Sequence, residues 1–593
     1  MRRIPSLYEA VGRGLVLAIL ALGLVAGSPA GATISGFVRE DGTNAPIAGA
    51  RVHVRADPSS PVAITQADGS FSLPIAPADP VALTAAVTYD RAAAVNWQVA
   101  GNTAINGQTN VEILLPRLEP TTAVGYEPPP AVAGCANCHF EKFQDWSTSS
   151  HALAGTDVWV RDVHSGDGTP GGSAGYVFLD THDPGETGFC ATCHTPIEDA
   201  LLGGPNGLQL NQASTPAGLD GVTCLACHQI DSVNDNFGAL HHRGNATYRW
   251  PAETSFPTWM QVWGPLDDVD YGLMRTSHSP LFADSRLCAS CHQYNNPING
   301  GPGQNTYNEW LASSYATPGP GYRTCQSCHM PQASGPGTIC EVANVIRPAQ
   351  QRHAHTFLGA GAPELAGAID LRAAGSELPG AVRVIAEVEN LGAGHSWPTG
   401  VSIRNAILHV TATLNGVPLA RLSGPTIPYW ADDAVPGKQP GDLADEPGTG
   451  FAEVLEGRIN QQGPVVRPVL FIDADAIAEQ SSIEAGATST SDLQFALPPG
   501  AQAGDVVEVE ARLLYRRAWR ALYIVKNWTV TPQGGPVERE VAVQRLQVRL
   551  TPASVGGIVE VPALRPVALV ALAAALGAAG LAALRRRRHG RPV

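Results

Sequence analysis

Cys135-Ala136-Asn137-Cys138-His139 is the first of five stretches of one form. It is followed by Cys190-Ala191-Thr192-Cys193-His194, Cys224-Leu225-Ala226-Cys227-His228, Cys288-Ala289-Ser290-Cys291-His292 and Cys325-Gln326-Ser327-Cys328-His329. Ten of the eleven cysteines fall in these stretches, whereas chance would supply on the order of 0.01 such stretches in a chain of this composition. Two thiols three residues apart can add to the two vinyl groups of one porphyrin, and the adjoining imidazole is then carried onto the iron. Disulfides and zinc knuckles also use Cys-x-x-Cys, but neither requires a His directly after the second Cys. The spacing therefore predicts five covalently attached c-type haems, tethered by Cys135, Cys138, Cys190, Cys193, Cys224, Cys227, Cys288, Cys291, Cys325 and Cys328. Their proximal ligands are His139, His194, His228, His292 and His329.

The other face of each iron needs a second ligand or an opening. Apart from Met1 there are only Met260, Met274 and Met330, and Met330 adjoins His329 and cannot reach the far face of that haem. Bis-histidine ligation is expected, with lower potentials than His/Met sites. The candidates are His151, His164, His182, His241, His242, His278, His353, His355 and His395. Phe140, Phe143, Trp146 and Ser150 predict a helix continuing from the first motif. Twelve residues along it is ~18 Å, so His151 is expected to ligate a different haem from His139.

An internal repeat accompanies this helix. Phe143-Gln-Asp-Trp146-Ser-Thr-Ser-Ser-His151-Ala152 is echoed without gaps by Tyr307-Asn-Glu-Trp310-Leu-Ala-Ser-Ser-Tyr315-Ala316. Tyr315 thus occupies the position of His151, either packing or standing over an iron that lacks a distal His.

These residues resemble the cytochrome c-554 family, related to the octahaem hydroxylamine-oxidoreductase and tetrathionate-reductase lineage. The resemblance rests on Trp146-x-x-Ser149-x-His151-Ala152, Cys325-x-x-Cys328-His329-Met330-Pro331, His355-x-Phe357-x-Gly359 and Asn390-x-x-x-Gly394-His395-x-x-Pro398-Thr399-Gly400, across about 135–400. It implies that His151, His355 and His395 are distal ligands. His278 and His242 complete the expected distal set, with His241 the alternative to His242. The chain departs from the enzymes of that lineage in having five motifs and no Cys-x-x-Cys-Lys.

Outward from the motifs, residues 33–117 lack Cys and alternate apolar with polar residues, as in Arg51-Val52-His53-Val54-Arg55, with turn signals at Asp41-Gly42 and Asp68-Gly69. A small β-sandwich is expected. It resembles the carboxypeptidase-regulatory-like domain through Gly36-Phe37-Val38, Pro46-Ile47-Ala48-Gly49-Ala50-Arg51-Val52 and Ala67-Asp68-Gly69-Ser70-Phe71-Ser72-Leu73. His53 has no second ligand near it in sequence and reads as an ordinary surface or core residue. A Pro-rich linker spans 118–134. The pentahaem domain, 135–357, is expected to be mainly α and irregular, with the haems as its core. Alternation resumes in 358–552, which predicts a second β-sandwich-like domain capping the haems and lending them the His395 loop. Cys340, the odd thiol, reads as inert.

The ends carry targeting signals. Residues 1–32 hold Arg2, Arg3, an apolar run and Ala30-Gly31-Ala32, the pattern of a secretory signal peptide. Residues 567–584 form an uncharged apolar run, ~27 Å long as a helix, before the four arginines that open the tail 585–593. This predicts a transmembrane helix with the body on the periplasmic or cell-surface side of a bacterial membrane. The formal charge of -15 disfavours nucleic acid as a partner. Redox proteins or an extracellular electron acceptor are expected instead. The multidomain chain reads as a membrane-tethered electron carrier; the alternative is a multihaem oxidoreductase acting on a small nitrogen or sulfur compound at one five-coordinate haem.

Overall fold

In the strand Ile34–Glu40 every second residue is buried, and Val111–Leu115 repeats the alternation. That period of two is what one face of a sheet against a core requires. The computed structural model describes residues 33–556 apart from 119–124, 235–245, 251–259, 271, 273, 297–298, 360–361, 366 and 433–438. The expected signal peptide, His241, His242, the apolar run 567–584 and the tail 585–593 lie outside these residues. Among the described residues no helix is long and apolar enough to cross a membrane.

The first domain is two sheets. Ile34–Glu40 lies between Ser70–Leu73 and Val111–Leu115, while Arg51–Val54 and Val81–Ala86 pair in the facing sheet with Ala63–Ile64 and Ala100–Ala104 at its edges. Ile34, Val38, Val52, Leu73, Leu83 and Ile113 fill the space between them. Ile34–Glu40 and Val111–Leu115 run parallel, and at Gly36 a Cβ would stand 1.8 Å from the Val111 carbonyl oxygen, so only glycine permits the approach.

The last domain repeats the architecture at larger scale. One sheet orders Ile369–Leu378, Ala381–Asn390, Thr488–Ala496 and Arg421–Ser423; the other orders Ala474–Gln480, Gly448–Gly457, Asn405–Leu414, Val506–Arg516 and Glu538–Arg549. Val384, Val410, Phe451, Leu493, Phe495 and Leu513 are within its continuous apolar core.

Between the sandwiches the described residues form neither a long helix nor a large sheet. The longest helix described there, Phe140–Ser147, has eight residues, and the strands described form two-stranded pairs such as Gln261–Gly264 with Arg275–His278. The first sandwich is fastened to it by charge. Asp267 accepts from Arg51 (2.6 Å) and His53 (3.0 Å), and Asp270 from Arg55 (2.8 Å). His53 therefore holds two domains together.

The helix after the first motif is shorter than its sequence suggests. It ends at Ser147, where the hydroxyls of Ser147 and Thr148 bond back to the carbonyls of Gln144 (2.9 Å) and Asp145 (3.1 Å) and offer the backbone an alternative to the helical ladder. His151 lies in the turns beyond it.

Candidate functional site

Four of the five motifs are themselves helical turns: Cys190–His194, Cys224–His228, the end of Arg286–His292, and Cys325–His329. Residues i, i+3 and i+4 share one helix face, so both thiols and the imidazole of a motif project together. Thr223 and Thr324 start two of these turns, their hydroxyls accepting the backbone N–H of Ala226 and Ser327. The first motif is held differently, in the turn between Ala131–Gly134 and Phe140–Ser147.

The repeat seen in the sequence is a repeat of structure. The indole N–H of Trp146 donates to the Val222 carbonyl (2.8 Å), and that of Trp310 to the Arg323 carbonyl (2.8 Å). Each carbonyl lies two residues before a motif. Val222 N–H then donates to the His151 carbonyl (3.0 Å), as Arg323 N–H does to that of Tyr315 (2.9 Å). Each copy thus clamps a helix onto the entry of the third or the fifth motif.

All five motifs line one cavity of about 1530 Å³, well beyond the ~300–1,000 Å³ of a site for one small molecule. Ten histidines line it: the five of the motifs, and His151, His164, His353, His355 and His395. The sequence candidates are thereby sorted. His151, His355 and His395, expected as distal ligands, line the cavity. His278 is not: Nδ1 stands 3.3 Å from Thr88 Oγ1, and its carbonyl accepts the Tyr89 N–H in the seam with the first sandwich. His182 is spent on Asp473, at 2.9 Å. His164 and His353 stand in the cavity although neither belonged to the expected distal set. No local pattern distinguishes them, because the cavity they line is assembled from segments remote in sequence.

The imidazoles are oriented as metal ligands are. Nδ1 faces a backbone carbonyl in His139 (Ile339, 2.8 Å), His194 (Ala154, 3.1 Å), His228 (Trp263, 2.7 Å) and His329 (Leu358, 2.5 Å). The same holds for His353 (Met330, 2.8 Å), His355 (His353, 3.1 Å) and His395 (Ser396, 2.9 Å). An N–H at Nδ1 donates to that oxygen and leaves the Nε2 lone pair for a metal. His292 instead faces the side-chain amide of Gln304 at 3.0 Å, which presents its oxygen after a flip. His151 Nδ1 and both ring nitrogens of His164 are buried without any partner. Burial pushes His151, His164 and His395 down to about 4 and His292 and His355 to about 3, so all five are neutral bases at pH 7.

Two pairs have the separation that one shared iron imposes. With a metal–imidazole bond of ~2.0 Å and about 1.1 Å from nitrogen to ring centre on each side, the ring centres fall ~6.2 Å apart. The ring centres of His151 and His292 are 6.2 Å apart, and so are those of His329 and His395. The residues present fit haem, then, in donor type, tautomer and spacing.

The thiols show how the motifs adjoin. Cys135 meets Cys224, Cys193 meets Cys291, and Cys288 meets Cys325, each within hydrogen-bonding reach. Cys227 lies in the electrostatic range of Cys291. The first motif therefore neighbours the third, the third the fourth, and the fourth both the second and the fifth. Burial differs along this network. Ala191, Thr192, Leu225, Ala226, Ala289 and Ser290 of the inner motifs are buried, whereas Cys325–His329 has no buried residue and Cys328 is exposed.

Tyr315 lines the same cavity and packs with Tyr307, Trp310 and Ala289. Cys340 also lines it, near Cys138, and burial pushes its thiol up, away from the reactive thiolate.

Residues 134–229 match the family model described as "Cytochrome c554 and c-prime". No curated relative matches the chain. Among solved structures it is similar to a penta-heme cytochrome c552 from Thermochromatium tepidum, at 20% identity and a TM-score of 0.45, over 70% of this chain and 97% of that one. It is also similar to a chain of a type II cohesin–X-dockerin complex from Acetivibrio cellulolyticus, at 19% identity and a TM-score of 0.12, over 16% of this chain and 62% of that one.

Proposed function

We propose, for a chain that is a multihaem c-type cytochrome acting in electron transfer, that it carries five haems, each closed on both faces by histidine, and passes electrons through them without transforming a substrate. The observation that carries this reading is the even match between five motif histidines and five further histidines around one cavity. Haem supplies a one-electron couple at each iron. The protein's part is to ligate, to hold the imidazoles neutral and oriented, and to bring the five sites within reach of one another. His151 with His292 and His395 with His329 would each hold one haem, and His355, within electrostatic range of His228 and His139, would hold another.

Electrons enter or leave at the motifs nearest the surface, the fifth above all, in exchange with redox partner proteins or an extracellular acceptor. A c-type cytochrome is extracytoplasmic, where haem is attached. The run 567–584 would anchor the body to the membrane, with the first sandwich as a carboxypeptidase-regulatory-like contact module.

Haem per chain and the electron paramagnetic resonance spectrum of the same ferric sample test the proposal. Five haems, all low-spin, are expected. A high-spin component near about one-fifth of the iron would mean an open site and favour the oxidoreductase reading, with Tyr315 the first residue to replace.

A further inference from the structure

Arg404 and Arg517 flank the cross-strand pair Asn405–Arg516, where the strands Asn405–Leu414 and Val506–Arg516 leave their sheet. The paired register ends there and each arginine is the next residue out, near enough for Arg404 to act on Arg517, a like-charge arrangement that is destabilising by itself. Both line the haem cavity. Among the described residues neither makes an ion pair. Arg404 Nη1 donates to the Thr399 carbonyl (3.3 Å), and Arg517 Nη1 donates to Oε1 of Gln533 (2.5 Å). Their neighbours differ: Arg516 pairs with Glu538 at 2.6 Å and Arg520 with Asp442 at 2.7 Å. The carboxylate that acts on Arg517 is Asp157, which caps the helix Val158–His164 by accepting from Trp159 and Val160 N–H.

Two guanidinium groups without an ion pair on one cavity call for an anion, and the planar fork of arginine matches a carboxylate in two hydrogen bonds. We propose that Arg404 and Arg517 bind the propionate carboxylates of the haem held between His292 and His151, and so raise its potential. The choice of haem rests on Arg517, which reaches through Gln533, whose amide donates to Ser150 Oγ (3.1 Å) beside His151, while Arg404 acts on both His292 and His395. Burial first, and then Arg404, push the Arg517 guanidinium below its ordinary value, as expected for a cation waiting on a counter-charge. The cap domain thereby contributes to the haem array a second time, beyond its ligand His395.

The proposal rests on the multihaem reading, so haem per chain is measured first in wild type, in Arg404→Gln/Arg517→Gln and in Arg404→Lys/Arg517→Lys. A chain with no haem would sink that reading and not the arginine pair. Spectroelectrochemical titration then follows each haem as a one-electron component. In the Gln pair one component is expected to move negative by about tenfold in its reduction equilibrium, 59 mV for one electron. The Lys pair, which keeps the charge, should move it less than half as far. Arg517→Gln alone serves if the Gln pair does not accumulate. Wild type should be indifferent to added sulfate or nitrite. Unmoved potentials at full haem content overturn the proposal. A wild-type response to sulfate or nitrite that the Gln variants lose overturns it too, because the pair would then take a free oxyanion.

Discussion

The two sandwiches and the segment between them solve the same problem in opposite ways. Each sandwich fills its interior with its own side chains, Val384, Val410, Phe451 and Leu513 in one, Val38, Leu73, Leu83 and Ile113 in the other. The middle segment gathers its apolar residues into small satellites such as Ile197 with Leu225, Ala226 and Met260, and surrounds a cavity with cysteine and histidine. A buried imidazole with no partner costs free energy until something binds it. The β domains are thus specified by their sequence alone, and the middle segment by its sequence plus cofactor.

Expression without haem attachment gives the strongest test of that contrast. Amide hydrogen exchange should show loss of protection through 131–358 and retention in both sandwiches. Protected amides throughout the middle segment of the apo chain would erase the distinction. A smaller effect is expected inside the cap domain, where Phe451→Ala removes a ring that is 1 % exposed. It should lower that domain's unfolding free energy by about 3–5 kcal/mol, with or without haem. The smallest effect concerns pH. Burial, with the nearby Glu309, pushes the Glu453 carboxyl up to about 7 from an ordinary 4.5. The fold disfavours the charged form, so the contribution of this group is most favourable below 4.5 and is lost as the pH rises from there to about 7. Glu453→Gln should flatten that part of the thermal stability profile for the cap domain. An unchanged slope would place the titration elsewhere.

Much of this division could be read from residues in order. The motifs announced themselves because thiol and imidazole chemistry demands a fixed local spacing, and strands such as Ile34–Glu40 because burial on one face writes a period of two. Distal ligation has no such local rule. His151 was expected at a foreign haem from the length of a helix that in fact stops at Ser147, and the 6.2 Å between its ring centre and that of His292 is what now supports that placement. His278 and His164 show the limit. Both sit among apolar and polar neighbours without a signature, and only the tertiary fold sends one to the seam with Thr88 and the other into the cavity. The Trp146 and Trp310 repeat was legible as similarity, but its meaning, a clamp on the carbonyl before a motif, needed Val222 and Arg323 in place.

The separation of paired imidazoles along the chain also sets a timetable. In the proposed pairing His151 leaves its site of synthesis long before His292, and His329 has no partner until the loop after Ala381–Asn390 delivers His395. In that pairing a haem on either motif is closed only when a segment remote in sequence docks against it. For the fifth motif that segment belongs to the C-terminal domain, so the docking of this domain would complete the coordination at His329.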